Sequence, residues 1–124
     1  MRKICLLALV CALSACSSQA ADEATYKSEL ISDEQVYFFT LEGCPHCEAA
    51  KAYISQKYPN LNLPVREISD STNRKYFYAC GAKFGMSKWR MGAPLLCMGQ
   101  NYILGWDPSE EARFDEYIKP FLNK

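Results

Sequence analysis

The chain has 124 residues, with 14 Lys and Arg against 14 Asp and Glu and a formal net charge of zero. That length accommodates one compact domain and not two. No basic patch is visible, which argues against a nucleic-acid partner, and no internal repeat or low-complexity tract divides the chain.

Residues 1–16 read as a targeting segment. Arg2 and Lys3 form its charged start, and Ile4 to Leu13 is an apolar stretch too short to span a bilayer as a mature helix. Leu13-Ser14-Ala15-Cys16 resembles the lipobox of bacterial lipoproteins. The resemblance implies that Cys16 becomes a lipidated first residue that anchors the protein to a membrane. Ser17 stands where that family uses Asp for inner-membrane retention, which implies an outer-membrane address in a Gram-negative cell. An ordinary secretory cleavage near Ser18-Gln19-Ala20 is the alternative. Either route places the protein outside the cytosol, where disulfides persist, and the lipobox implies the bacterial cell envelope, facing the periplasm. Removal of Arg2 and Lys3 leaves two more acidic than basic residues. Of seven cysteines, Cys5 and Cys11 leave with the signal and Cys16 carries lipid; Cys44, Cys47, Cys80 and Cys97 remain for chemistry. Residues 17–34 are small, polar and charged, and read as a flexible tether with an r.m.s. span of roughly 20–25 Å. Tyr26 and Leu30-Ile31 suggest that its last part folds back as a short helix. Residues 35–124 form the expected domain.

Val36 to Thr40 is apolar on both faces, as a buried parallel strand should be. It leads into Cys44-Pro45-His46-Cys47, and a Cys-x-x-Cys at a strand-to-helix junction is the layout of a redox-active dithiol. Pro45 suits the first helical turn, where its missing N–H costs nothing. The free N–H groups of that turn favour a thiolate on Cys44, the species that attacks disulfides. His46, when protonated, adds a second stabilising charge. Cys44 is therefore the expected nucleophile, and Cys47 the thiol that resolves a mixed disulfide. The same pair also reads as half of a zinc site or as a structural disulfide, although no second Cys-x-x-Cys supplies the other half.

Pro45 to Tyr58 reads as a helix with Ala49, Ala50, Tyr53, Ile54 and Tyr58 as its apolar stripe, stopped by Pro59-Asn60. Leu63 to Ile68 is a second strand. Asp70 or Ser71 caps a second helix that carries Tyr76, Phe77, Cys80 and Phe84 on one face and ends at Gly85. Met86 to Gly92 is a polar loop, in which Lys88 and Arg90 read as solvated charge or as a hold for an acidic substrate. Pro94 opens the apolar strand Leu95 to Met98, and Gly99-Gln100-Asn101 turns it into Tyr102-Ile103-Leu104 as a hairpin. Asp107-Pro108-Ser109-Glu110 predicts a helix start with Asp107 as N-cap, Pro108 at N1 and Glu110 at N3. Asp107 is also a candidate for a substrate amino group. Trp106 either lines a substrate groove or packs beneath the last helix. Phe114, Ile118, Phe121 and Leu122 form that helix's buried stripe, and Pro120 is placed to kink it. Three readings stand for Cys80 and Cys97: a structural disulfide between helix and sheet, two buried thiols, or a second redox relay.

The order β-α-β-α-β-β-α, with Cys-Pro-x-Cys after the first strand and a proline opening the third, resembles the thioredoxin fold in its short, glutaredoxin-like form. The resemblance implies a three-layer α/β fold, a four-stranded mixed sheet with flanking helices. Ala93-Pro94 falls where that superfamily keeps a cis-proline beside the dithiol, so a cis bond is implied there, with the Ala93 backbone offering strand-like hydrogen bonds to an extended substrate. Leu104-Gly105-Trp106-Asp107 falls where glutaredoxins hold the γ-glutamyl end of glutathione. The resemblance thus makes Ala93, Pro94, Trp106 and Asp107 substrate-binding candidates. Glutaredoxins carry Lys three residues before the first Cys, where this chain has Leu41, and Ala93 stands where Thr or Val is usual. The Cys-Pro-His-Cys tetrapeptide itself is similar to that of the DsbA family of periplasmic oxidases, without that family's inserted helical domain.

These readings predict a cell-envelope thiol–disulfide oxidoreductase. It exchanges disulfides with protein or low-molecular-weight thiol substrates, is reset by an upstream redox partner, and requires no metal or prosthetic group. The rival is a soft-metal chaperone or binding module that holds Cu or Zn between Cys44 and Cys47, with Met86, Met91 and Met98 as auxiliary ligands.

Overall fold

The computed structural model describes residues 28–123; the expected targeting segment, Cys16 and most of the expected tether lie outside the described residues. Seven elements follow in the order read from the sequence: β1 (Val36–Thr40), α1 (Pro45–Lys57), β2 (Val65–Glu67), α2 (Ser71–Lys83), β3 (Leu95–Met98), β4 (Asn101–Leu104) and α3 (Glu110–Ile118). Short 3-10 turns are added at Lys88–Arg90 and Lys119–Phe121. β1 runs parallel to β2, with Thr40 opposite Glu67, and antiparallel to β3, with Phe38 opposite Leu96. β3 and β4 form the hairpin, with Leu96 opposite Ile103. The strand order is β2-β1-β3-β4.

Side-chain alternation along the strands divides the core into two layers. Phe38, Leu96, Met98 and Ile103 point to one face and pack with Ala50 and Ile54 of α1 and Phe114 and Ile118 of α3. Tyr37, Phe39, Leu95 and Cys97 point to the other and pack with Phe77, Ala79 and Cys80 of α2. β1 and β3 are central and covered on both faces, which is why their residues read as continuous apolar runs. The result is the expected three-layer α/β fold with a four-stranded mixed sheet. Ile31, ahead of β1, is buried in the α2-side layer, and Asp33 accepts hydrogen bonds from Lys83 and Gln100. No described helix is long and apolar enough to cross a membrane.

Cys80 on α2 and Cys97 on β3 are disulfide-bonded, with Cα atoms 6.3 Å apart. Both are buried, so the bridge reading of this pair replaces the readings as free thiols or as a relay. On the opposite face, Asp115 ties α3 to α1: its carboxylate accepts from Tyr53 at 2.8 Å, Tyr58 at 2.6 Å and Lys57 at 2.5 Å. Burial pushes the Asp115 carboxyl up, but these three donors outweigh it and hold the group below its ordinary range.

Four local expectations are corrected. Ala49 is exposed, because the buried line of α1 runs through Cys47, Ala50 and Ile54 and the next position around the helix turns away from it. β2 is shorter than Leu63 to Ile68. α3 begins at Glu110, not Pro108: Asp107 Oδ1 accepts the Ser109 N–H at 2.7 Å, and the Glu110 N–H closes a turn onto the Asp107 carbonyl at 2.9 Å, so a tight turn precedes the helix proper. Leu122 is exposed. The α-helix stops at Ile118, and Pro120, which lacks an N–H, sits in the 3-10 turn that follows, leaving Leu122 off the buried line.

Candidate active site

β1 delivers the chain to Thr40, buried at its end. Residues 41–43 then reverse direction, with the Cys44 N–H donating to the Leu41 carbonyl at 3.2 Å. Gly43 takes φ +79°, and no atom lies within 4 Å of where its Cβ would stand. Glycine serves here for its left-handed backbone, not for space. Glu67, at the end of β2, grips the turn from the side: Oε1 accepts the Glu42 N–H at 2.8 Å and Oε2 accepts the Thr40 hydroxyl at 3.4 Å. Nothing in the sequence pointed to Glu67. Its only signal is a charged residue closing a short strand whose register sets it opposite Thr40.

Cys44 is the N-cap of α1, with Pro45 opening the helix. Its sulfur accepts the Cys47 N–H at 3.2 Å and the Cys47 thiol at 2.6 Å. The two cysteines differ in environment. Cys44 is partly open, whereas Cys47 is fully buried. Burial, and then the hydrogen bond to Cys44, push the Cys47 thiol up to about 11. Cys47 therefore keeps its proton at neutral pH and donates it toward Cys44, whose sulfur receives two donors and faces solvent.

The Ala93–Pro94 peptide bond is cis, and the Ala93 carbonyl lies 3.7 Å from Cys44 Sγ. Pro94 is buried, and its carbonyl accepts the Gly105 N–H at 2.8 Å, which fixes the start of β3 to the end of β4. Gly105 also has a left-handed φ, +85°. The next residue supplies the contact to the active-site helix: His46 Nδ1–H donates to the Trp106 carbonyl at 2.8 Å. A carbonyl only accepts, so Nδ1 carries a proton in both charge states of the ring. The Trp106 indole is buried against Tyr53 and Phe114, with ring centroids 5.7 and 6.1 Å away. Of its two expected roles it takes the packing one, and only its backbone reaches the site. Asp107 is exposed, and the hydroxyl and N–H of Ser109 hold its carboxyl below the ordinary range.

The structure thus gathers Cys44, Cys47 and Ala93–Pro94 directly, and joins His46 to the turn that carries Trp106 and Asp107. It does not assemble the expected methionine ligands. Met98 is buried in the α1-side core, and Met86 and Met91 pack against the α2-side core. With Cys80 and Cys97 bonded to each other, no group of three or more His, Cys, Asp or Glu among the described residues is placed to hold a metal ion.

This is the thioredoxin fold in its glutaredoxin-like form. Two similar solved structures are the holo form of glutaredoxin C1 from Populus tremula x tremuloides, at TM-score 0.53 and 23% identity over 85% of this chain and 91% of that one, and the buckwheat glutaredoxin–glutathione complex, at TM-score 0.54 and 18% identity over 86% and 94%. No protein-family model and no curated protein matches the chain. At these identities the likeness shows the fold, and the chemistry of the dithiol rests on the site itself.

Proposed function

We propose that this protein is a thiol–disulfide oxidoreductase of the bacterial cell envelope, held to a membrane by lipid on Cys16. The asymmetry of the dithiol carries the reading: an open sulfur at a helix N-cap that accepts two hydrogen bonds, beside a buried thiol that keeps its proton. Cys44, as thiolate, attacks one sulfur of a substrate disulfide. A bond forms between Cys44 and the substrate as the substrate's own S–S bond breaks, and the leaving sulfur takes the proton of Cys47. The Cys47 sulfur then attacks Cys44, forming the Cys44–Cys47 disulfide and releasing the second substrate sulfur, which is protonated from water. The substrate disulfide is reduced to two thiols and the protein dithiol is oxidised; run backward, the same steps oxidise a substrate. An upstream thiol–disulfide partner resets the pair. His46, one residue before Cys47, is anchored by the Trp106 carbonyl; a positive charge on its ring would add to the helix N-terminus in favour of the Cys44 thiolate.

The substrate is a protein or a low-molecular-weight thiol. The second kind is supported by the glutathione complex of the buckwheat glutaredoxin. The envelope location is supported by Leu13-Ser14-Ala15-Cys16 and by the buried Cys80–Cys97 bridge, a type of bond that persists outside the cytosol.

Turnover of insulin and of a low-molecular-weight disulfide tests the chemistry. The wild-type protein should exchange at least one of them and Cys44→Ser neither; normal turnover by Cys44→Ser contradicts the assignment. Radiolabelled palmitate should enter the wild type and not Cys16→Ala. Absence of label from both leaves a secreted protein without an anchor.

A further inference from the structure

Among the described residues, Trp89 is the large apolar side chain left most open. It is 97% exposed, where the other exposed large apolar residues lie between 36% and 46%. A single exposed leucine needs no explanation, but a nearly fully solvated tryptophan contributes nothing to the core. Its segment is nonetheless held in place. Within the Lys88–Arg90 turn the Arg90 N–H donates to the Ser87 carbonyl at 3.0 Å, and just before it the Met86 N–H donates to the Gly81 carbonyl at 2.8 Å. Just after it, the Met91 thioether lies on Gly81, in the space a Cβ would fill. The Lys88 ammonium rests over the Tyr78 ring, 5.1 Å from its centroid. Two residues beyond Met91 the chain reaches the Ala93 carbonyl beside Cys44 Sγ. Lys88 and Arg90 are both exposed, and neither forms an ion pair with a described residue.

We propose that the Lys88-Trp89-Arg90 turn docks a disulfide-bearing polypeptide, and that it favours clients with an apolar side chain flanked by acidic residues near the reacting cysteine. The proposal rests on the thiol–disulfide reading and names its substrate class. Tryptophan and arginine dominate binding surfaces because they desolvate large areas and make directed contacts. Here both sit on the segment that ends at the nucleophile, so a client held by them has its disulfide brought toward Cys44. The two flanking cations set the acidic preference by charge complementarity. A low-molecular-weight disulfide without such a side chain gives the turn nothing to hold. The same residue types also suit a bilayer interface. The polypeptide reading is favoured because one aromatic on a tight turn offers no apolar face to insert, and because Lys88 folds onto Tyr78 instead of extending.

The test uses the full chain with three substrates: a low-molecular-weight disulfide, a short peptide disulfide with Glu-Leu-Glu next to its cysteine, and its Lys-Leu-Lys counterpart. The wild type should prefer the Glu peptide. Trp89→Ser should lower kcat/KM for that peptide about tenfold, equivalent to roughly 1.4 kcal/mol, and leave the low-molecular-weight disulfide unchanged. Arg90→Glu should reverse the preference between the peptides. Equal rates for the two peptides in the wild type, an unchanged peptide rate in Trp89→Ser, or an equal fall for all three substrates would overturn the proposal. Trp89-dependent binding to phosphatidylglycerol vesicles with unchanged peptide kinetics would overturn it in favour of a bilayer. Failure of the wild type to exchange any of the three would instead remove the thiol–disulfide reading, and this proposal with it.

Discussion

Position 47 places a thiol behind the first turn of α1, out of contact with water. An ordinary cysteine loses its proton near 9, and burial and Cys44 hold this one to about 11. The reduced folded protein thus keeps a proton that the unfolded chain gives up. The stability this contributes is complete below about pH 9 and is lost as the pH rises toward about 11. Denaturant midpoints of the reduced protein should decline across that window. Those of Cys47→Ala, which has no such proton, should not share this component; identical profiles would contradict it. The cysteine pair was legible because the motif is local: four consecutive residues hold the N-cap sulfur, the helix start and the buried thiol together. The partner of His46 was not. It is a backbone carbonyl sixty residues away, and no side-chain identity announces a carbonyl. Trp106 drew attention for its indole, yet the indole is core and the carbonyl carries the contact.

Between elements, the decisive contact is Glu67, which joins the end of β2 to the turn before Cys44. Loss of its carboxylate frees the Glu42 N–H and loosens residues 41–43, and a hydrogen bond to a charged group contributes about 1.5–3 kcal/mol. Much of that is recovered by water at this partly exposed site. Glu67→Ala should therefore slow exchange about three- to tenfold through kcat/KM. Glu67→Gln, which retains one acceptor oxygen, should fall between. Equal rates for all three proteins would leave Glu67 without a positioning role. Strand pairing across β1 and β2 creates this contact, and pairing register lies beyond a reading made one segment at a time. The start of α3 shows a related limit. Asp107-Pro108-Ser109-Glu110 has the composition of a capped helix, but Asp107 closes a turn on Ser109 first, and the helix follows three residues later. Pro120 was legible as a disruption; the outward rotation of Leu122 depends on how the chain resolves it.

Across the whole molecule, the alternation of Tyr37, Phe38 and Phe39 and of Leu95, Leu96 and Cys97 was enough to foresee a sheet covered on both faces. Whether Cys80 and Cys97 meet was not, since the spacing of residues along a helix and a strand does not set the distance between them. Their bridge closes a loop across 17 positions, which in the chain-entropy account stabilises the fold by about 3 kcal/mol. Cys80→Ala/Cys97→Ala should lower Tm by about 10–20 °C while keeping disulfide exchange, because the bridge lies on the α2 side of the sheet and α1 covers the other. An unchanged Tm would mean that the bridge adds nothing to the packing around it.

The most direct test of the dithiol mechanism is a covalent trap. Cys47→Ser, mixed with a low-molecular-weight disulfide at neutral pH, should accumulate a stable adduct that intact mass and peptide mapping place on Cys44, whereas the wild type should clear it and end as the Cys44–Cys47 disulfide. Adduct formation on Cys47 in Cys44→Ser at a matching rate, or no adduct in Cys47→Ser from a disulfide that the wild type turns over, would contradict the assignment of Cys44 as nucleophile and Cys47 as resolving thiol.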